Sequence, residues 1–298
     1  MILYFENGRQ VRGDALLSAT LRSDLSPIPI TLEADIRSDG ETSTLLKEGK
    51  TLVLSTGEKM QIVKTRPVVI DAVQSERSIS AISVTCLLQS VIQIGYVSPR
   101  AIIMEGTTLA AVYRATGASL SGVKSDINID RFYCLKGHTP SFLVRQVMQT
   151  QGGSLRWSGG AMEFLRYRDL MNSAPVLTLS DINARQTESE FLQRHQVPNY
   201  FSTDATGGVV TGAWNRDRVT QFSPAKSVLQ LNNMSRALVQ SHEVKIPYNQ
   251  SLKAGDTVLV AGRKSPMVIV TAAHALAGAG AGTGSRQYTK LFLARLES

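Results

Sequence analysis

Apolar and polar residues alternate with a period of two over much of this chain, and two stretches carry a clear helical period instead. Ile28, Ile30, Leu32, Ala34 and Ile36 alternate with Pro29, Thr31, Glu33 and Asp35, which sets five apolar side chains on one face of a strand. Pro27 and Pro29 lack a backbone donor, so the start of this strand is expected at a sheet edge. Further strands are predicted at Thr51 to Leu54, Met60 to Val63, Val68 to Val73 and Ser78 to Leu88, separated by Gly49, Gly57, Pro67 and the polar run Gln74 to Arg77. About six strands in the first hundred residues point to a barrel or a sandwich.

The rhythm changes at Ala101. Thr107 or Thr108 can cap a helix with an apolar stripe of Leu109, Ala110, Val112 and Tyr113, stopped by Gly117. A second helix has Thr139 as its cap and Pro140 at its first position, where a missing N–H costs nothing. Phe142, Leu143, Val147 and Met148 recur on its expected core face, and Gly152 and Gly153 end it. Ser154 to Trp157 then lead into Gly159-Gly160, a pair suited to a tight turn, and Met162, Phe164, Leu165 and Tyr167 return as the second arm of a hairpin. Glu105 to Leu120 and Lys136 to Leu155 share an order of charged residue, Gly, Thr cap, helix, Gly, Ser, Leu, which reads as a degenerate internal repeat.

After Leu170 the strand pattern resumes. Strands are expected at Ala174 to Leu179, from Tyr200, at Val209 to Thr211 after the Gly207-Gly208 turn, and at Val228 to Leu231, Ala237 to Val239 and Val244 to Pro247. Three more follow at Thr257 to Ala261, Met267 to Thr271 and Tyr288 to Ala294, with Lys253 to Asp256 as a turn and one helical turn at Glu188 to His195. The whole is α+β and mainly β, in three units: a strand-rich segment over 1–100, a helix-plus-hairpin segment over 101–172, and a second strand-rich segment over 173–298.

Candidate chemistry is sparse. His138, His195, His242 and His274 lie more than thirty residues apart, in no metal-ligand spacing. Glu163, Asp169 and Asp181 could supply an acid and base pair, but nothing in their spacing singles them out. The glycine-rich run Ala277 to Gly284 opens no βα unit and reads as a surface loop, with no dinucleotide or phosphate site. Cys86 and Cys134 sit in apolar strands and suit buried thiols of a reducing compartment. Catalytic, cofactor-binding and metal-binding residues are therefore expected to be none, and the chain is not expected to be an enzyme.

Charge adds little. The formal net charge is +8, from 32 basic and 24 acidic residues, yet no run of five like charges occurs, which favours a mixed solvated surface over a dedicated nucleic-acid face. Arg156, Arg166 and Arg168 flank Trp157 and Tyr167, the basic and aromatic interleaving that single-strand binders use. Strand alternation accounts for it more simply, with Arg166 and Arg168 on one side and Leu165 and Tyr167 on the other. Met1 to Phe5 lacks the features of a signal peptide. Ile79 to Val97 and Met267 to Ser285 carry no charge over about nineteen residues, but their Gln, Ser, Thr and His content argues against a membrane span.

The capped Pro140 helix, the Gly152-Gly153 stop and the Arg156-Trp157 hairpin resemble the middle domain of phage tail hub proteins, the trimeric baseplate subunits related to the base of type VI secretion spikes. The similarity extends more loosely to Leu231 to Arg236, Val244 to Pro247 and Leu252 to Val258. The resemblance implies two β-barrel domains, 1–100 and 173–298, bracketing an α/β domain, 101–172. It also implies a homotrimer in the virion, assembled in the host cytoplasm, that joins a tail tube protein to a separate spike protein. Baseplate wedge proteins, a tape-measure protein and DNA in transit are the other partners it implies, with no membrane and no cofactor. The alternative is a barrel-fold enzyme or nucleic-acid-binding module with a site assembled from scattered residues.

Overall fold

The computed structural model describes residues 1–74, 77–180, 184–186, 197–263, 265–278 and 286–297. In the N-terminal hundred residues lie β1 (Leu3–Phe5), β2 (Leu16–Asp24), β3 (Ile30–Arg37), α1 (Gly40–Leu45), β4 (Thr51–Leu54), β5 (Lys59–Gln74) and β6 (Arg77–Leu88). The expected alternation holds in β3, where Ile30, Leu32, Ala34 and Ile36 are all buried. Its start is not at an edge, however, because Ile30 pairs with Ser23 of β2 and Thr31 with Leu87 of β6. Pro27 and Pro29 lie just before the strand and so cost it no ladder bond. The two strands expected around Pro67 are one long β5, which tolerates the proline because β4 flanks only Lys59 to Gln61 and leaves the later stretch as an edge.

The middle segment contains β7 (Ile102–Thr108), α2 (Leu109–Ala115), β8 (Val123–Lys124), β9 (Asn128–Cys134), α3 (Pro140–Thr150), β10 (Gly153–Ser158), β11 (Ala161–Arg166) and α4 (Tyr167–Asn172). Thr108 caps α2, its side chain accepting from the Ala111 N–H. Gly159 and Gly160 have φ of 57° and 75°, the left-handed pair that closes the two-residue β10–β11 turn. Gly153 is required for a different reason, since a Cβ there would lie 2.4 Å from the Leu165 carbonyl oxygen. Two expectations fail in this segment. Phe142 points to solvent, 63% exposed, while Met148 is buried as expected, Leu143 and Val147 pack half-buried against the core, and Pro140 and Val144 complete the buried face. The second hairpin arm ends at Arg166, so Tyr167 and Arg168 belong to α4 and the expected strand alternation of Arg166 and Arg168 does not occur.

Beyond it come β12 (Leu177–Leu179), β13 (Ala184–Gln186), β14 (Asn199–Thr203), β15 (Val209–Thr211), β16 (Thr220–Phe222), α5 (Val228–Met234), β17 (Ala237–Pro247), β18 (Thr257–Val260), β19 (Met267–Ala277) and β20 (Arg286–Glu297). Val228 to Leu231 is helix where a strand was expected. Ser227 accepts from the Gln230 N–H while Gln230 Oε1 accepts from the Ser227 N–H, a reciprocal capping box that nucleates the turn. The expected strands Ala237 to Val239 and Val244 to Pro247 are parts of one strand, β17, with an irregularity between Gln240 and His242. The expected turn at Glu188 to His195 lies outside the described residues.

The chain is mainly β. Its largest sheet follows the path β1-β4-β5-β6-β3-β2-β19-β20-β17-β13, with β18 and β12 branching from β19, and this order does not close on itself. The β2–β19 ladder, Ser18 to Asp24 against Thr271 to Ala277, joins the N-terminal and C-terminal strand sets into one sheet. One apolar cluster runs from Leu3 to Phe164, so the first strands and the middle segment share a core, which includes Leu32, Cys86, Tyr113, Phe132 and Val144. A second cluster, with Val244, Val258, Ile269 and Leu291, lies under the C-terminal strands, and a third, among the described residues, holds Tyr200, Leu231 and Met234 with Val210 packed against them.

Candidate functional site

The scattered candidates for catalysis stay scattered. His138 is exposed, and His195 and Asp181 lie outside the described residues. His274 is buried between Thr289 Oγ1 and the Leu252 carbonyl, both 3.0 Å away, and burial holds its pKa below the ordinary range. His242 Nε2 lies 2.7 Å from the Arg263 guanidinium and Nδ1 lies 2.9 Å from Ser241 Oγ. Glu163 accepts from Arg156, and Asp169 sits in the first turn of α4. Among the described residues no group of three or more His, Cys, Asp or Glu side chains could hold a metal ion. Cys86 and Cys134 are free and buried, and burial pushes the Cys86 thiol up to about 12. Most of the run Ala277 to Gly284 lies outside the described residues.

What the fold does assemble is a surface. Directly opposed residues in a ladder share a face, so the registers can be followed from strand to strand across the β2–β19 junction. One row runs Lys245, Lys290, Ala273, Arg22, Thr31, Leu87 and Gln61. The next runs Pro247, Tyr288, Ala275, Thr20, Glu33, Thr85 and Lys64. Flanking rows hold Glu243, Phe292, Thr271 and Asp24 on one side, and Arg286, Ala277, Ser18, Asp35, Ser83 and Arg66 on the other. The reverse face is apolar, with Leu21, Leu32, Cys86 and Ile62 opposed in the same way and buried.

This polar face mixes small Ala, Ser and Thr side chains with charged ones, several of which are tied down. Asp35 accepts from Ser18 Oγ at 2.7 Å, Asp24 from Thr271 Oγ1 at 2.5 Å, and Lys290 pairs with Glu243 at 2.7 Å. The Lys245 ammonium lies 3.9 Å from the centre of the Tyr288 ring. Six cations (Arg22, Lys64, Arg66, Lys245, Arg286 and Lys290) face four carboxylates (Asp24, Glu33, Asp35 and Glu243), a balance of +2 against +8 for the whole chain. The positive excess is therefore not gathered here, which disfavours a phosphate-gripping surface.

A loop from Tyr248 to Asp256 holds the three segments together. Ala254 N–H donates to Ser23 Oγ of β2 at 2.9 Å, Asn249 N–H to Thr289 of β20 at 2.9 Å, and His274 of β19 binds the Leu252 carbonyl. Arg156 of β10 reaches Glu163 at 2.8 Å and Asp256 at 3.5 Å, all three side chains about one-fifth exposed. Burial raises the Asp256 carboxyl pKa, against the lowering effect of the Lys253 N–H and the Arg156 charge. Arg156, Glu163, His274 and the Lys253 to Asp256 turn stand out in the sequence, but most of these contacts do not, because the partners are remote in the chain.

No family model and no curated protein sequence matches this chain. Solved structures do. The tail protein from Neisseria meningitidis MC58 superposes with a TM-score of 0.66 at 12% identity, over 99% of this chain and 95% of that one. The 43 kDa tail protein of prophage MuSo2 from Shewanella oneidensis gives 0.62 at 13% identity, over 99% and 96%. An E. coli component of the type VI secretion system, described as similar to T4 bacteriophage tail proteins, gives 0.55 at 10% identity, over 95% and 74%. The chain has the fold of phage tail proteins and of type VI secretion spike-related proteins. Among the described residues no helix is long and apolar enough to cross a membrane.

Proposed function

We propose that this chain is a structural subunit of a phage or phage-like tail, a trimeric hub that joins the tail tube to the spike. The observation that carries this reading is the continuous polar face that crosses β2–β19. Because N- and C-terminal strands share one sheet, a single subunit offers two adjoining strand-rich units, over 1–100 and 173–298, and the segment 101–172 braces the first of them from the apolar side. Two barrel-like units per chain let three chains approximate a sixfold ring, the geometry an adaptor between a hexameric tube and a trimeric spike requires.

In this arrangement the polar face lines the channel. Its mixture of small and charged side chains, with near-balanced charge, suits the passage of DNA or a tape-measure protein, since a strongly basic wall would grip phosphates and slow them. The subunit then acts in the virion, after assembly in the host cytoplasm, in contact with tube, spike and baseplate wedge proteins. Catalysis has no part in it. Electron microscopy of the assembled protein is the test, with three copies around an open bore and Thr20 and Thr85 on the wall as the expected result. A stable monomer in the presence of tube and spike proteins, or a closed twofold dimer, would overturn the reading.

A further inference from the structure

The β7–β9 ribbon has only two strands among the described residues, so β9 keeps one unpaired edge. That edge does not face open solvent. Five consecutive β9 residues, Ile129 to Tyr133, line a cleft of about 740 Å³. One wall is α3, through Leu143, Gln146 and Val147, and the other is the 197–236 segment, through Tyr200, Lys226 and Met234. In a paired strand alternate N–H and C=O groups point away from the partner, and along this edge they meet no second strand. Gln151 reaches its end, Nε2 donating to the Asn128 carbonyl at 3.5 Å, one residue before the run.

We propose that this cleft binds an extended segment of another polypeptide, which adds to β9 as a third strand. An unpaired edge supplies main-chain affinity, and flanking walls that contact alternate side chains supply selectivity. The five lining residues accommodate about 17 Å of strand. Apolar side chains on one side of the segment meet Leu143, Val147 and Met234. Lys226 adds a charge preference: it is partly desolvated, Asp130 faces it electrostatically, and it forms no salt bridge among the described residues. A desolvated ammonium favours a carboxylate nearby, so the segment carries an acidic residue at that position.

The probe is a fluorescein-labelled peptide, Ser-Val-Glu-Val-Glu-Val-Ser, titrated by anisotropy against the monomeric full-length chain, so the result does not depend on whether the trimer forms. Saturable binding is expected, weakened at least tenfold when alternate peptide amides are N-methylated, because methylation removes the ladder donors while leaving the side chains. Lys226→Gln is expected to weaken the Glu peptide about tenfold and a Gln-substituted peptide little, and unchanged melting confirms that this variant is folded. Equal affinity of methylated and unmethylated peptides, or no binding at millimolar concentration, overturns the proposal. So does a peptide that binds the monomer but is excluded from the assembled oligomer, since a second copy would then fill the cleft.

Discussion

The shared core of the first strands and the middle segment contrasts with the 197–236 segment, and the contrast is one of burial. The first packs thirty-six buried residues, from Leu3 to Phe164, into one cluster. Among the described residues the second closes over Tyr200, Leu231 and Met234, with Val210 packed against them, while Val209, Trp214, Val219, Phe222, Val228 and Leu229 are all about half exposed or more. Forty residues with so small a core cannot offset their own ordering entropy. The segment is held from outside, through Gln149 Nε2 to Tyr200 at 3.0 Å and Asn233 Nδ2 to the Thr150 carbonyl at 3.0 Å. Stability in this molecule is concentrated at the sheet and α3, whereas the 197–236 segment contributes surface.

The sharpest test of that contrast removes a ring from each side. Phe132, 2% exposed, is expected to cost about 3–5 kcal/mol as Phe132→Ala in denaturant unfolding, whereas Phe222→Ala, 49% exposed, is expected to cost under about 1 kcal/mol. Comparable losses would show that the two regions are equally packed. Arg156→Ala comes next, at about 1–3 kcal/mol, because it leaves Glu163 and Asp256 partly buried without their cation; Arg156→Lys, which loses the forked contact, should recover only part.

Within α3, Val144→Ala is expected to cost about 2 kcal/mol and Phe142→Ala almost nothing, since one side chain is enclosed and the other is in water. Equal melting temperatures for these two variants would mean that the helix is rotated. A smaller effect is expected from pH. His274 is neutral in the fold with a pKa below its unfolded value, so the unfolded chain binds more protons as pH falls through about 6.5. Stability is therefore expected to be full above that pH and to decline below it, and His274→Gln should flatten the decline in melting scans from pH 7.5 to 5. The smallest change is Val209→Ser, 71% exposed, expected within about 0.5 kcal/mol of wild type by the same scans.

The elements that could be read from the sequence are those whose causes are local. The alternation in β3, the Thr108 cap and the Gly159-Gly160 turn each depend on residues within a few positions, and each formed as the pattern indicates. The α5 helix was also legible, as Ser227 followed three residues later by Gln230, but Val228-Leu229-Gln230-Leu231 imitates a strand more readily. Phe142 and Val144 lie two positions apart and so on different faces of α3; the stripe Pro140, Leu143, Val144, Val147 and Met148 has helical spacing and leaves Phe142 outside it, so this face was legible, and β9 and β10 pack against the helix. The polar face was beyond the sequence. Thr271 meets Asp24 across a separation of 247 residues, and no local preference specifies that register. Composition and periodicity determined that this chain would be mainly β, with a capped-helix middle. Joining its two ends into one sheet took the third dimension, because each strand set has an edge and an apolar face that only the other parts of the chain cover.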